Sequence, residues 1–268
     1  MSDLCGRFGF HTLPFTREIE VSRRFHLSYL DDACEALRRT VENRLCGALI
    51  APAGMGKTTV MRALVDTLPE ARFRVHYVKV ARLSRRDMCR ELSMALGLPP
   101  AGSYPGLIRR VQDRLQAYVE GDALRPVILF DDAHEFRPEV LGILKAITNY
   151  EMDSRLVVSI LLCGHNGLRT LLRREELEDV AGRITHFATL RGLSREETHG
   201  YLKHRCTVAG ATTVPFDASA LEAIYEISRG NLRAIDSLAH KAMELAHGQD
   251  VDVIDTTIVV AARALVLP

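Results

Sequence analysis

The chain has 268 residues, 47% hydrophobic and 26% charged, with 35 basic and 34 acidic side chains and a net charge of +1. That apolar content supports one sizeable core with a smaller attached domain and excludes a disordered chain. The balanced charge excludes a global basic field, so any nucleic-acid contact has to come from a local patch or from many subunits together.

Residues 1–25 read as an irregular lead-in with Pro14 and Phe15 in an extended stretch. From about Asp31 a helix is expected, because Ala33, Leu37, Val41 and Leu45 recur at fourfold spacing. Ala48–Ala51 is a short apolar run that leads into a glycine loop and a helix from Thr58 to about Leu68. Phe73–Val80 alternates and is β-branched, as a strand does. Arg85–Leu96 reads as a helix ending at Gly97, and Gly106–Val119 as another with Ile108, Val111, Leu115 and Tyr118 on one face. Val127–Phe130 and Val157–Cys163 are continuous apolar runs, the pattern of buried parallel strands. Pro138 opens a helix between them, and Thr185–Leu190 reads as a last strand. Strands alternating with helices predict an α/β domain of three layers with a parallel sheet. After Gly192 the pattern changes. Ser194–Glu197 has the form of a capping box, and helices are expected over Ala218–Ser228, Arg233–Ala246 and Asp255–Leu265. The expected organisation is an N-terminal segment (1–25), an α/β domain (26–192) and a small all-helical lid (193–268).

The six cysteines, Cys5, Cys34, Cys46, Cys89, Cys163 and Cys206, form no CxxC pair, and several lie in apolar runs. They read as small buried hydrophobes in a reducing compartment, in preference to disulfides or zinc. The N-terminus lacks an apolar segment after a basic start, and the longest apolar stretch, Leu156–Cys163, is too short to span a bilayer. A cytoplasmic location is therefore expected.

Ala51-Pro52-Ala53-Gly54-Met55-Gly56-Lys57-Thr58-Thr59 follows an apolar strand and opens a helix. It matches the phosphate-binding loop GxxxxGK[ST] except that Ala51 replaces the first glycine. Gly54 and Gly56 free the backbone to turn its N–H groups toward phosphate oxygens. Lys57 neutralises the β- and γ-phosphates, and Thr58 supplies a hydroxyl to Mg²⁺ at a helix N-terminus. An ordinary glycine turn is the bland alternative. Val127–Phe130 ends in Asp131 and Asp132. Asp131 is assigned to the Mg²⁺ shell through water, and Asp132 to orienting or deprotonating the attacking water. A polar pair that merely ends a strand is the alternative there.

These motifs, taken in order with Phe8-Gly-Phe…Leu13-Pro-Phe15-Thr-Arg-Glu, Asp131-Asp-Ala-His134, Leu161-Leu-Cys-Gly164-His, Gly182-Arg-Ile184 and Gly230-Asn-Leu-Arg233, resemble the ExeA-like AAA+ ATPases. That group includes the transposition regulators of the MuB, TnsC and TniB kind, and Ile147–Ser154 resembles the version beside transposase genes. The resemblance implies an AAA+ fold with ATP and Mg²⁺. It places Pro14 and Phe15 at the adenine, although a proline–aromatic pair packing the core edge is an equal reading. It puts His165 where a glutamine often senses the γ-phosphate, and makes Arg233 the lid arginine on that phosphate. Arg183 resembles the arginine that enters a neighbour's site, with Arg173 and Arg174 competing for that role. His134 stands for the usual glutamine and Asp132 for the usual glutamate. The shorter Asp132 implies slow or partner-assisted turnover.

Arg82, Arg85 and Arg86, with Arg109 and Arg110, lie where the resembling proteins face duplex DNA in a ring or helical filament. A solvated helix face balanced by nearby acids is the alternative for each. The resemblance thus implies an ATP-dependent switch that oligomerises on target DNA without sequence preference, recruits or activates a transposase, and disassembles on hydrolysis. A secretion-type ATPase is a second reading. Those relatives carry a membrane helix and a wall-binding region after the ATPase, which the sequence to Pro268 does not show. A non-hydrolysing ATP-binding scaffold is a third.

Overall fold

The computed structural model describes residues 2–16 and 19–266; Arg17 and Glu18 of the motif quoted above lie outside the described residues. In chain order come α1 (Ser2–Phe8), α2 (Ser28–Glu42), β1 (Cys46–Ile50), α3 (Lys57–Thr67), β2 (Phe73–Lys79), α4 (Arg85–Ala95), α5 (Tyr104–Glu120) and β3 (Arg125–Asp131). Then follow α6 (Pro138–Leu141), α7 (Ile143–Thr148), β4 (Ser159–Gly164), α8 (Asn166–Leu172), α9 (Glu178–Ala181) and β5 (Ile184–Thr189). The described chain continues with α10 (Arg195–Val208), α11 (Ala218–Ser228), α12 (Leu232–Gly248) and α13 (Thr256–Val266).

Contacts divide the molecule into two compact units. One comprises Ser28–Ala53 and Lys57–Leu190; the other comprises Met1–Leu27, Gly54–Gly56 and Arg191–Pro268.

The first unit is built on a five-stranded parallel sheet in the order β2-β3-β4-β1-β5. The interior strands β4 and β1 are buried at every position, and β3 along its middle, which is why their sequences read as unbroken apolar runs. The edge strands β2 and β5 carry exposed positions between buried ones. A parallel sheet sends all its strand ends to one edge, so β1, β3 and β4 deliver Ala51, Asp131 and His165 to the same side. Strand β4 separates the P-loop strand from the acid strand by roughly two strand spacings, about 9–10 Å. His165 therefore follows the strand that lies between them.

Local departures from the expected elements have physical reasons. Helix α2 ends before Leu45 because Arg44 turns left-handed (φ 57°). On α5 the buried face is Leu107, Val111, Leu115 and Tyr118, with Leu107 in the place expected for Ile108. The helix opened by Pro138 stops after one turn and restarts as α7 beyond Gly142.

In the helical unit, Ser194 and Glu197 form both bonds of the capping box at the start of α10. Helices α11, α12 and α13 pack on one another, and Leu238, Ala239, Ala242, Met243 and Ala246 bury one stripe of α12. The lead-in is not wholly irregular: α1 packs against α12, with Leu4 buried. Seven residues that include Gly6 carry too little periodicity to announce that helix. Five of the cysteines, Cys34, Cys46, Cys89, Cys163 and Cys206, are buried. Among the described residues no helix is long and apolar enough to cross a membrane.

Candidate nucleotide site

The P-loop leaves β1 through Ala51, which is fully buried and donates its N–H to Gly164 O at 3.1 Å. Ala51 is not among the residues of positive φ, so its methyl group replaces the usual glycine without backbone cost. Gly54 and Gly56 do need glycine, with φ of +80° and +87°. Lys57 begins α3, and its ammonium donates to Ala51 O (2.9 Å) and Pro52 O (3.0 Å). The cation is thus held over the loop it serves. Thr58 is exposed in the first turn of α3, with Thr59 half-buried behind it; Pro52 and Ala53 are exposed and Met55 half-buried.

At the end of β3, Asp131 Oδ1 accepts from the Asp132 N–H at 2.9 Å and Oδ2 accepts from the Tyr77 hydroxyl at 3.1 Å. Burial, reinforced by Asp131, pushes the Tyr77 phenol up to about 12, so it stays a donor. Asp132 is left-handed (φ 54°, ψ 34°), a conformation that aspartate tolerates better than most residues. His165 caps α8, its Nδ1 accepting from Gly167 N at 2.9 Å, which leaves Nε2 as the donor of the neutral ring. The rings of His134 and His165 lie 3.5 Å apart, centroid to centroid. Burial and then the neighbouring His165 depress the His134 pKa, and its Nδ1 is buried without a hydrogen-bond partner. Tyr77 and the adjoining histidines were not assigned together from sequence, since only the β2-β3 and β3-β4 pairings bring these strand ends side by side.

This donor set fits a magnesium–triphosphate group. A lysine on a glycine loop suits phosphate, and a hydroxyl with a carboxylate suits a hard cation. The described residues hold no cluster of three or more His, Cys, Asp or Glu able to bind a metal by itself.

Within the helical unit, Gly54 O accepts from the Arg233 N–H at 3.3 Å. Asn231 caps α12 through Ala234 N, and a Cβ built on Gly54 would lie 2.2 Å from Asn231 Oδ1 and 2.9 Å from Arg233 Cβ. Gly54 is glycine for two reasons, its positive φ and this close approach. The Arg233 side chain is exposed and pairs with no described residue. Pro14 and Phe15 are buried. Phe15 is left-handed (φ 60°) and its ring packs edge-on against Phe216 at 6.0 Å.

Sequence reasoning passed over a buried network beside Phe15. Arg205 donates to the Tyr201 hydroxyl and to Thr16 O, both at 2.7 Å, and Tyr201 donates to Asp236 Oδ1 at 2.8 Å. An arginine on the apolar face between Leu202 and Cys206 was the available signal. Burial pushes the Asp236 carboxyl up from 3.8 to about 6, against the opposing pull of Arg205 and Tyr201. A carboxyl raised in the folded state stabilises fully below its unfolded pKa, and that contribution is lost as pH rises through about 6. Asp236→Asn is accordingly expected to flatten the fall in thermal stability between pH about 4 and 6. Melting curves across that range check it, and an unchanged slope would remove Asp236 as its source.

The other candidates are dispersed. Arg183 forms a two-pronged pair with Asp153, one contact being Nη1–Oδ1 at 2.6 Å. Arg173 and Arg174 are exposed, and Arg174 lies 3.5 Å from Glu176. Arg82 pairs with Glu135 at 2.9 Å. Arg85 donates to Glu139 O at 2.7 Å, Arg86 to Gly102 O at 3.2 Å and Arg110 to Ala101 O. Arg109 is exposed on α5.

A P-loop between a buried parallel strand and a helix, with an acid pair ending another strand of the same sheet, defines the P-loop ATPase class of α/β proteins. The chain belongs to the AAA domain family, whose sequence model matches residues 38–172, and it is an AAA+ ATPase. It is 30% identical over 197 residues to general secretion pathway protein A of Aeromonas hydrophila, covering 73% of this chain. It spans 36% of that relative's length. Its fold is similar to the crystal structure of Cdc6p from Pyrobaculum aerophilum (TM-score 0.76, 16% identity, 94% of this chain and 70% of that one). It is also similar to Aeropyrum pernix ORC1 solved in complex with DNA (TM-score 0.64, 20% identity, 95% and 66%). A further match is the Thermotoga maritima RuvB Holliday junction branch migration motor (TM-score 0.57, 18% identity, 89% and 68%). At these identities the solved structures speak for the fold.

Proposed function

We propose that this AAA+ ATPase is an ATP-dependent, duplex-DNA-binding regulator of transposition. In this reading it oligomerises on target DNA, recruits or activates a transposase and is released by hydrolysis. The observation that supports the DNA part is the arginine cluster on the packed helices α4 and α5. Arg86 and Arg110 are 24 positions apart in sequence, yet both guanidiniums bond to carbonyls of the 101–102 loop. Arg85 likewise bonds to a carbonyl. Carbonyls orient these cations without cancelling their charge, which is what a phosphate-binding surface needs. The transposition part is supported by the ordered motifs shared with those regulators.

On this reading Lys57 and Arg233 bind the triphosphate, and Asp131 with Thr58 holds Mg²⁺, whose charge would offset that building up on the phosphate oxygens. Asp132 orients the attacking water, and the Nε2–H of His165 donates toward the γ-phosphate. Arg183 would exchange Asp153 for a neighbour's nucleotide on assembly, whereas Arg173 has no such pair to break.

The test is duplex-DNA binding with ATP, a non-hydrolysable analogue, ADP or no nucleotide, over a range of salt, with electron microscopy of the mixtures. The expected result is sequence-independent binding that requires the triphosphate, with rings or filaments. The double variant R86A/R110A is expected to reduce the salt slope by about 2. DNA binding in no nucleotide state would sink this reading. It would favour a protein-remodelling ATPase, the reading that the 30% identity to general secretion pathway protein A supports.

A further inference from the structure

The helical unit contains a buried arginine that the roles above leave unused. The Arg205 side chain is 6% exposed, and a guanidinium so far from water is costly unless its donors are satisfied. Two of its partners sit on helices. Nη1 donates to the Tyr201 hydroxyl at 2.7 Å and lies 3.6 Å from Asp236 Oδ1. The third partner is different in kind: Nη2 donates at 2.7 Å to the main-chain carbonyl of Thr16, in a segment with no regular structure of its own. The guanidinium carbon also stands 5.8 Å from the centroid of the Phe15 ring and 5.6 Å from that of Tyr201, within cation–π range.

The segment needs such a hold. Phe15 has φ of 60°, a conformation disfavoured for an aromatic residue, and surroundings that over-determine it are required to keep it there. Three sets of contacts supply those constraints. His11 N and Thr12 N both donate to Ala209 O, at 2.7 and 3.3 Å, the Phe15 ring meets Phe216, and Arg205 fixes the carbonyl of the next residue. Arg205 also reaches α12 through Asp236, which lies one turn beyond Arg233 on the same helix.

We propose that Arg205 is a positioning residue for the base end of the nucleotide. It holds the 14–16 backbone in its left-handed bend and ties it, through Tyr201 and Asp236, to the helix that carries Arg233. The proposal rests on reading Pro14 and Phe15 as the base-side segment. It predicts that losing Arg205 removes the part of nucleotide affinity that depends on adenosine and spares the part that depends on phosphate.

The experiment compares binding of ATP and of inorganic tripolyphosphate to the nucleotide-free wild type and to R205M, R205K, R205M/D236N and F15A. Melting curves without ligand confirm that each is folded. R205M/D236N covers the case in which R205M fails to fold because Asp236 is stranded. R205M, or the double variant, is expected to bind ATP about tenfold more weakly with tripolyphosphate binding unchanged. R205K, which keeps a charge but not the fork, is expected to fall between. A merely structural role would weaken both ligands alike or neither, and either result overturns the proposal. F15A separates the two layers of the argument. If it shifts the ratio of the two affinities and the folded Arg205 variants do not, Arg205 has no positioning role. If F15A leaves the ratio unchanged, the base-side reading itself fails and the proposal falls with it.

Discussion

Lys57→Ala is expected to weaken ATP binding by about 100-fold or more and to take hydrolysis to background. The ammonium is held over the P-loop by Ala51 O and Pro52 O, and it is the one cation in the loop sequence 51–59. Its removal leaves the triphosphate with only backbone dipoles from that loop. Direct binding by calorimetry, alongside phosphate release, checks the expectation. Near-wild-type affinity would mean that Lys57 is not the phosphate lysine. Asp132→Asn offers the contrast, since a group that only orients water affects turnover and spares binding. If DNA binding and transposase stimulation survive Asp132→Asn and not Lys57→Ala, nucleotide binding rather than hydrolysis is the working step.

Gly230→Ala is expected to give the largest loss of stability in the helical unit, about 3 kcal/mol or more. Gly230 has φ of +73°, and a Cβ there would lie 2.1 Å from Leu193 O and 2.5 Å from Leu193 N. Both atoms are backbone, and Leu193 N already donates to Gly230 O at 2.9 Å, so no side-chain rotation relieves the clash. A fall in melting temperature of roughly 10 °C corresponds to that loss in a domain of this size. Gly248→Ala is the control: it ends α12 with nothing within 4 Å of its Cβ, and little or no loss is expected. Equal melting of the two variants would contradict the role given to the Gly230–Leu193 approach.

The two expectations show what was legible in the sequence. Lys57 was assigned because the P-loop is local: loop, strand and helix are contiguous, and the chemistry of each position follows from spacing. The alternation of strands and helices was legible for the same reason, and α/β class followed from it. Capping of α10 was readable from Ser194 and Glu197 alone. By contrast, the partner of Tyr77 is 54 positions away on another strand, and Arg205 meets Thr16 across 189 positions. No periodicity records such pairs. Helix α1 was missed because its stability comes from α12 rather than from its own residues. The arginines were legible as basic residues, but not that Arg86 and Arg110 share a loop while Arg82 and Arg183 pair with acids.

The strand order has a consequence for the chain as it is made. Among the described residues, strand β1 pairs with β4 and β5 alone, with Ile50 opposite Gly164 and Thr189. It therefore leaves the ribosome more than a hundred residues before its first neighbour. At roughly 5–20 residues per second, an apolar strand and the P-loop behind it wait roughly 6–23 seconds unpaired. Helix α3 and the β2-β3 pair can form during that wait, but β1 cannot. Strand β1 is thus among the first parts of the sheet to be synthesised and among the last to be set, and a stalled chain that stops short of β4 displays an open apolar edge to whatever meets it first.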